Sequence, residues 1–186
     1  MTTDHDRLTA LLRSRSLLRG DFVLASGRRS DYYVDCRRTT MYATGLELIG
    51  RLALQAVRGR GWAPDAVGGL TLGADPVAYA IARASCDAPP PVHAFTVRKA
   101  AKAHGAGRRI EGCFAAGAAV VVVEDVITTG GSALEAVEAV RTEGGVVMGV
   151  VAVVDREEGG RAALEGAGLD VLALVGITTL LAGGRA

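Results

Sequence analysis

The sequence predicts an α/β fold in which a central, mainly parallel sheet is flanked by helices. Residues 118–123 form an unbroken apolar run that ends in four valines. Such a run is typical of a strand that is covered on both faces. A small-residue loop and a helical pattern follow it, and residues 66–84 repeat the same order of strand, loop and helix. This alternation is typical of parallel sheets.

The first part of the chain combines a helical pattern with two extended ones. Leucines at helical spacing predict a helix over residues 6–19, which Gly20 ends. Residues 22–35 have the pattern of strand, turn and strand, with Tyr32 and Tyr33 on opposite faces of the second strand. One ring of this pair would then be free to face a ligand, although two ordinary strand tyrosines fit the spacing equally well.

Between residues 44 and 97 the apolar pattern predicts helices over 44–58 and 76–84 and strands over 66–70 and 92–97. The loop 71–75 joins the first of these strands to the second helix. Asp75 suits the N-cap of that helix and Pro76 its first position.

The carboxylates Glu124 and Asp125 follow the central apolar run, where we expect the strand to end. Residues 128–131 form a loop of Thr and Gly, and residues 132–135 fit a capping box that starts a helix over 132–142. Backbone N–H groups near a helix N-terminus suit a phosphate, whereas two carboxylates suit the hydroxyls of a sugar. A plain helix cap beside a solvated acidic pair fits the same residues.

Residues 98–109 hold five Arg or Lys residues and one His among alanines and glycines. Such a segment has little apolar surface to bury, so it is expected to be mobile. Its composition fits either a solvated basic loop or a lid that folds over a polyanion.

A further buried strand is predicted over residues 146–154, and residues 155–160 follow its end. Ligands of open parallel sheets bind beyond the carboxyl ends of the strands, which places Arg156 on the same rim as Glu124 and Asp125. An Arg fork suits a carboxylate ligand, and a salt bridge to acidic neighbours fits equally well. The remaining pattern predicts a helix over 161–167, a strand over 171–175 and a tail from 177.

Composition narrows the class of protein. A chain of 186 residues fits one domain, and a net charge of +1 without a long basic run argues against a dedicated nucleic-acid binder. Cys36, Cys86 and Cys113 stand in no metal-ligand spacing and are typical of a reduced, cytoplasmic protein. The polar first residues predict no signal peptide, and no apolar stretch is long enough to span a membrane.

The stretch Val-Val-Val-Glu-Asp-Val-Ile-Thr-Thr-Gly-Gly-Ser, residues 121–132, resembles the 5-phosphoribosyl 1-diphosphate (PRPP) signature of the type I phosphoribosyltransferases. The resemblance implies that the acidic pair binds the ribose hydroxyls and that the Thr/Gly loop binds the 5′-phosphate. Together with the basic segment, it implies PRPP binding by Arg98, Lys99, Lys102, His104, Glu124, Asp125, Val126, Ile127, Thr128, Thr129, Gly130, Gly131 and Ser132.

Residues 26–35, 98–105 and 155–160 are similar to segments of one subfamily, the orotate phosphoribosyltransferases. This similarity implies that the basic loop closes over the site of a neighbouring subunit in a homodimer. The catalytic residues that it implies are Lys99, Lys102 and His104, and the orotate contacts are Tyr32, Tyr33, Thr128 and Arg156.

The resemblance also implies a type I phosphoribosyltransferase fold with an N-terminal hood, as a single domain over 1–186 with the hood at 1–40 and the core at 41–186. The implied reaction transfers the 5-phosphoribosyl group of PRPP to orotate, giving orotidine 5′-monophosphate and diphosphate in pyrimidine nucleotide synthesis. Its cofactor is Mg²⁺, carried mainly by PRPP and not by residues of the chain. No nucleic acid or membrane partner is expected.

The chain departs from the family pattern at two places. Many bacterial members carry a lysine at the position of Ala25 and another in the loop 71–75, and this sequence has neither. Backbone amides are therefore expected to take a larger share of diphosphate binding. Two alternatives are a phosphoribosyltransferase for another base, which the tyrosine pair and Arg156 disfavour, and a PRPP-sensing regulator without turnover, which the intact basic loop disfavours.

We predict that Lys102→Ala lowers turnover by about 10²–10³-fold, because it removes a positive charge that is expected to stabilise the departing diphosphate. Steady-state release of diphosphate measures the loss, and a thermal melt checks that the fold is retained. Normal turnover in this variant would reject the role of the basic segment as a lid.

Overall fold

A six-stranded sheet forms the centre of the structure, a computed structural model that describes residues 2–23, 27, 29–100 and 109–182. The strands are β1 (Leu17–Val23), β2 (Arg29–Val34), β3 (Ala66–Leu70), β4 (His93–Val97), β5 (Ile110–Gly112), β6 (Ala119–Ile127), β7 (Val146–Asp155) and β8 (Val171–Gly176). The central sheet has the order β5-β4-β3-β6-β7-β8, and only the pair of β4 and β5 is antiparallel. Strands β1 and β2 pair separately as an antiparallel ribbon.

Helices cover both faces of this sheet. They are α1 (Asp4–Leu11), α2 (Arg37–Thr40), α3 (Ala43–Gly59), α4 (Ala74–Asp87), α5 (Gly131–Thr142), α6 (Gly160–Gly166) and α7 (Ile177–Ala182). Val121 and Val123 of β6 pack with α3 and α4, whereas Val120 and Val122 pack with α5 on the opposite face. Because successive strand residues point to opposite faces, a run of valines serves both cores at once. The prediction of a mainly parallel sheet flanked by helices is confirmed.

The first predicted helix is wrong at its C-terminal end. Helix α1 continues as a π-helical turn over Leu12–Ser16, and β1 begins at Leu17. Gly20 lies inside β1 with a φ of 158°, which is extended backbone, so it does not end the helix. Leu17 and Leu18 pair with Val34 and Tyr33 of β2, and this pairing favours the strand over the local helical pattern.

The central strand runs further than predicted. Strand β6 continues through Glu124 and Asp125 to Ile127, because Val126 and Ile127 pair with the end of β7. The acidic pair therefore lies inside a paired strand, near its C-terminal end, and is held by the sheet and not by a loop.

Both predicted helix caps are wrong. Helix α5 begins at Gly131 behind Gly130, which has a φ of 82° and makes no side-chain cap, so the capping box at Ser132 is not formed. Helix α4 begins at Ala74, and Asp75 inside its first turn accepts hydrogen bonds from the hydroxyls of Thr71 (2.7 Å) and Thr96 (2.8 Å).

Three elements were not predicted from the sequence: the short helix α2, the edge strand β5 and the helical form of the tail, α7. Residues 43–59, 66–70 and 171–176 match the predicted elements to within one residue at each end. Within the described residues, no helix combines the length and apolar character that crossing a membrane requires.

Candidate active site

A cavity of about 340 Å³ opens at the carboxyl edge of the central sheet. It is bounded by the end of β2 and the start of α2, by the β3–α4 loop, and by the ends of β4, β6 and β7. Eight of the residues predicted from the sequence line it: Tyr33, Lys99, Glu124, Asp125, Val126, Thr128, Ser132 and Arg156.

The acidic pair occupies the floor of this cavity. Glu124 is 6% exposed, and the backbone N–H of Asp125 donates to its Oε1 at 3.2 Å. Burial, followed by the charge of Asp125, raises the pKa of Glu124 to about 9. A Cβ atom on Gly73 would lie 2.5 Å from Oδ1 of Asp125, so a glycine in the β3–α4 loop leaves room for that carboxylate.

The Thr/Gly loop joins β6 to α5 beside the acidic pair. Thr128 and Ser132 line the cavity, while Ile127 is buried beneath the loop. Thr129, Gly130 and Gly131 complete the loop without lining the cavity.

Gly160, at the start of α6, packs closely against the Thr/Gly loop. A Cβ atom on Gly160 would approach the Thr128 carbonyl oxygen to 2.4 Å and the Gly130 nitrogen to 2.8 Å. The loop therefore rests directly on backbone, with its chain direction set by the positive φ of Gly130.

The two hood tyrosines differ in their surroundings. Tyr33 is 38% exposed, lines the cavity and has its ring centre 5.8 Å from that of Phe22. Tyr32 is half-buried against the core and does not line the cavity. The Arg156 guanidinium lies over its ring, 5.2 Å from the centre, so Tyr32 reaches the site through Arg156.

Arg156 combines burial with an open donor. Its side chain is 5% exposed, and its Nη2 donates to Oε1 of Glu158 at 3.0 Å. Its Nε is buried without a hydrogen-bond partner among the described residues. The Arg156 backbone N–H donates to the Ile127 carbonyl (2.9 Å), which fixes the residue beside the end of β6. A buried guanidinium that lacks one partner is suited to an anionic ligand.

Hydrogen bonds join the two described ends of the basic segment at Arg98 and Arg109, which together form its neck. The Arg98 N–H donates to the Arg109 carbonyl at 2.8 Å, and Nε and Nη2 of Arg109 donate back to the Arg98 carbonyl at 3.1 and 3.0 Å. Nη2 of Arg109 also pairs with Glu135 of α5. Lys99 lines the cavity, whereas Arg98 lies 3.6 Å from Glu111 and does not line it. Lys102 and His104 lie outside the described residues.

Sequence reasoning missed the wall formed by Asp35, Cys36 and Arg37. Arg37 Nε donates to Asp35 Oδ1 at 2.8 Å. Burial, and then the nearby carboxylates, raise the pKa of the Cys36 thiol well above its usual range. The signal that was available is the alternation of acid and base at the end of a strand, which by itself is too common to be informative.

Comparison with known families matches residues 39–167 to the phosphoribosyl transferase domain. The orotate phosphoribosyltransferase of Aquifex aeolicus is 48% identical over 181 residues, which are 96% of this chain and 98% of that protein. The chain belongs to the orotate phosphoribosyltransferase family.

Solved structures of orotate phosphoribosyltransferases agree with this membership. The Mycobacterium tuberculosis enzyme with Fe(III) dicitrate has a TM-score of 0.86 at 48% identity, with 96% of this chain and 99% of that chain covered. The same enzyme in complex with PRPP has a TM-score of 0.82 at 44% identity, with the same shares covered. The resemblance and the type I phosphoribosyltransferase fold are thereby confirmed, while the roles of single residues stay predictions.

We predict that Glu124→Gln stabilises the protein increasingly as the pH rises from 5 to 9. The folded state holds a proton on Glu124 that the unfolded state releases above its ordinary pKa of 4.5, so wild-type stability falls through this range. The slope is at most about 1.4 kcal/mol per pH unit.

Melting temperatures in metal-free buffer measure this difference. Glu138→Gln, on the exposed face of α5, is the matched control and is expected to show no such trend. A pH-independent difference between Glu124→Gln and wild type would contradict the buried, protonated carboxyl.

Proposed function

We infer that the protein is an orotate phosphoribosyltransferase, which transfers the 5-phosphoribosyl group of PRPP to orotate and releases diphosphate. The product, orotidine 5′-monophosphate, is an intermediate of pyrimidine nucleotide synthesis. The observation that carries this conclusion is one cavity that is lined by a carboxylate pair, by Thr128 and Ser132 of the loop around the start of α5, and by a buried arginine with an open donor. Near-full-length similarity to orotate phosphoribosyltransferases supports it.

The ribose phosphate is proposed to bind along the end of β6. Glu124 and Asp125 accept hydrogen bonds from the ribose hydroxyls, and Glu124 does so as its proton is displaced or shared. The loop 128–132 donates backbone N–H groups to the 5′-phosphate at the start of α5. Held at both ends, the sugar presents its reacting carbon in a fixed position.

Orotate is proposed to bind between Tyr33 and Arg156. The ring of Tyr33 offers a flat face to the pyrimidine, and the unpartnered Nε of Arg156 is suited to the orotate carboxylate. Tyr32 positions the guanidinium through its ring, and Thr128, which lines the same cavity, is proposed to contact the base.

The chemistry follows from charge. The bond from the sugar to diphosphate stretches before the orotate nitrogen is fully bonded, so positive charge grows on the sugar and negative charge on the leaving group. Lys99 in the cavity wall, with Lys102 and His104 further along the basic segment, stabilises the leaving group as its charge grows. His104 is also suited to donate a proton, since an unperturbed histidine has a pKa of about 6.5.

We propose Mg²⁺ as the cofactor, entering with PRPP. The cavity fits such an ion, because it offers carboxylate oxygens, the donors that Mg²⁺ takes alongside substrate phosphates. Asp125, the more exposed of the pair, is the residue of this chain that would contact it. When bound, the ion supplies neutralisation of phosphate charge.

We further propose a homodimer in which the loop 98–109 acts in the neighbouring subunit's site. The similarity of this segment to the catalytic loop of the family supports the proposal. Lys99 lines the cavity of its own chain, so the residues that cross between subunits would be those further along the loop. Three free cysteines are consistent with the cytoplasm as the compartment.

A spectroscopic assay of orotate consumption with PRPP and Mg²⁺ tests the function directly. We expect orotate to be consumed in step with release of diphosphate, and uracil, hypoxanthine and adenine to be inert. Consumption of another base in place of orotate would overturn the substrate, and PRPP binding without any turnover would overturn the enzyme in favour of a sensor.

We predict that Arg156→Ala raises the KM for orotate by about 10–100-fold, the usual cost of a lost hydrogen bond to a charged group, and the KM for PRPP much less. Arg156→Lys keeps the charge but loses the fork, so it is expected to recover only part of the loss. Equal increases for both substrates would contradict the carboxylate contact.

A further inference from the structure

The cavity is lined by few positively charged side chains compared with the negative charge of PRPP, its proposed substrate. PRPP carries a phosphate and a diphosphate, while the cavity wall carries the carboxylates of Glu124, Asp125 and Asp35. Among the described residues that line it, the cations are Lys99, Arg37 and Arg156. Arg156 is buried and paired with an acidic neighbour at the end of β7, which leaves the other two for the phosphates.

Arg37 is held in a form that suits a phosphate ligand. Its Nε donates to Asp35 Oδ1 at 2.8 Å, and its side chain is 48% exposed. Its two terminal nitrogens make no hydrogen bond to the described residues. A guanidinium that is fixed by its Nε and open at both Nη atoms can donate two parallel hydrogen bonds to one phosphate group.

Arg37 shares the cavity with the β3–α4 loop, because Thr71, Leu72 and Gly73 of that loop also line it. The hydrogen bond to Asp35, followed by the charge of Asp35, raises the pKa of Arg37, and the charge of Asp125 contributes to the same shift. Asp125 in turn lies against Gly73 of this loop. Since the 5′-phosphate is assigned to the loop 128–132, the diphosphate is the group that is left for Lys99 and Arg37.

We propose that Arg37 binds the diphosphate group of PRPP, together with Lys99. This inference rests on the proposed function and deepens it. The β3–α4 loop, Thr71 to Asp75, supplies no cation of its own. Arg37 supplies positive charge from α2, and Asp35 is the positioning residue that fixes its guanidinium.

The test compares Arg37→Ala with Arg38→Ala. Arg38 is the adjacent arginine of α2, is exposed and does not line the cavity, so it is a matched control for charge and helix content. Isothermal titration with diphosphate and with ribose 5-phosphate, each with Mg²⁺, separates the two phosphate positions without requiring turnover.

Arg37→Ala is expected to weaken diphosphate binding, and to raise the KM for PRPP, by about 10–100-fold. Binding of ribose 5-phosphate and the KM for orotate are expected to stay unchanged. Arg37→Lys should recover part of the loss, and Asp35→Asn should show a smaller loss of the same kind because the guanidinium is no longer fixed. Arg38→Ala should match wild type.

Two results would overturn the inference. Diphosphate affinity in Arg37→Ala equal to that of Arg38→Ala would show that the residue makes no contact with this group. A loss confined to ribose 5-phosphate or to orotate would place Arg37 at another subsite. If either result is found while the wild type consumes orotate, only the role of Arg37 is refuted and the proposed function stays intact. If the wild type does not consume orotate, the proposed function itself is refuted.

Discussion

The rest of the site depends on two adjacent carboxylates that the sheet holds at the buried end of β6. Glu124 and Asp125 cannot both be ionised there at low cost, since burial and mutual repulsion disfavour the second charge. Pairing of Val126 and Ile127 with β7 prevents the strand from fraying and releasing them to water. A ligand with several hydroxyl groups would relieve this situation, because it adds hydrogen-bond donors to the backbone N–H groups of Asp125 and Val126, from which the pair already accepts.

Side chains of different character surround that pair. The loop before α5 contributes Thr128 and Ser132 to the cavity lining, Lys99 and Arg37 contribute positive charge, and Arg156 is buried with its Nε open. Arg37 and Arg156 are each fixed by a carboxylate, so little ordering of these two side chains is left for the moment of binding. The same sheet edge therefore offers suitable partners for a sugar, for phosphate groups and for a planar anion.

The sequence predicted those parts of the fold whose determinants are local. The valines of β6 and the broad apolar face of α3 carry their own periodicity, and residues of the contiguous signature over 121–132 line the cavity. Pairing partners are not local, so the conversion of Leu17 and Leu18 to strand and the extension of β6 past Asp125 could not be predicted. The wall of Asp35 and Arg37 was missed for the same reason, since only the folded chain brings α2 beside β6.

Helix α5 contacts two parts of the candidate active site. Its N-terminus follows the loop of Thr128 and Gly130. One turn later, Glu135 forms an ion pair with Arg109 at the neck of the basic segment. A small tilt of α5 would therefore displace both the loop before it and the neck of the basic segment. The packing of α5 is thus constrained at both of these contacts. We expect substitutions on its buried face to be tolerated poorly and substitutions on the exposed face beyond Glu138 to be tolerated well.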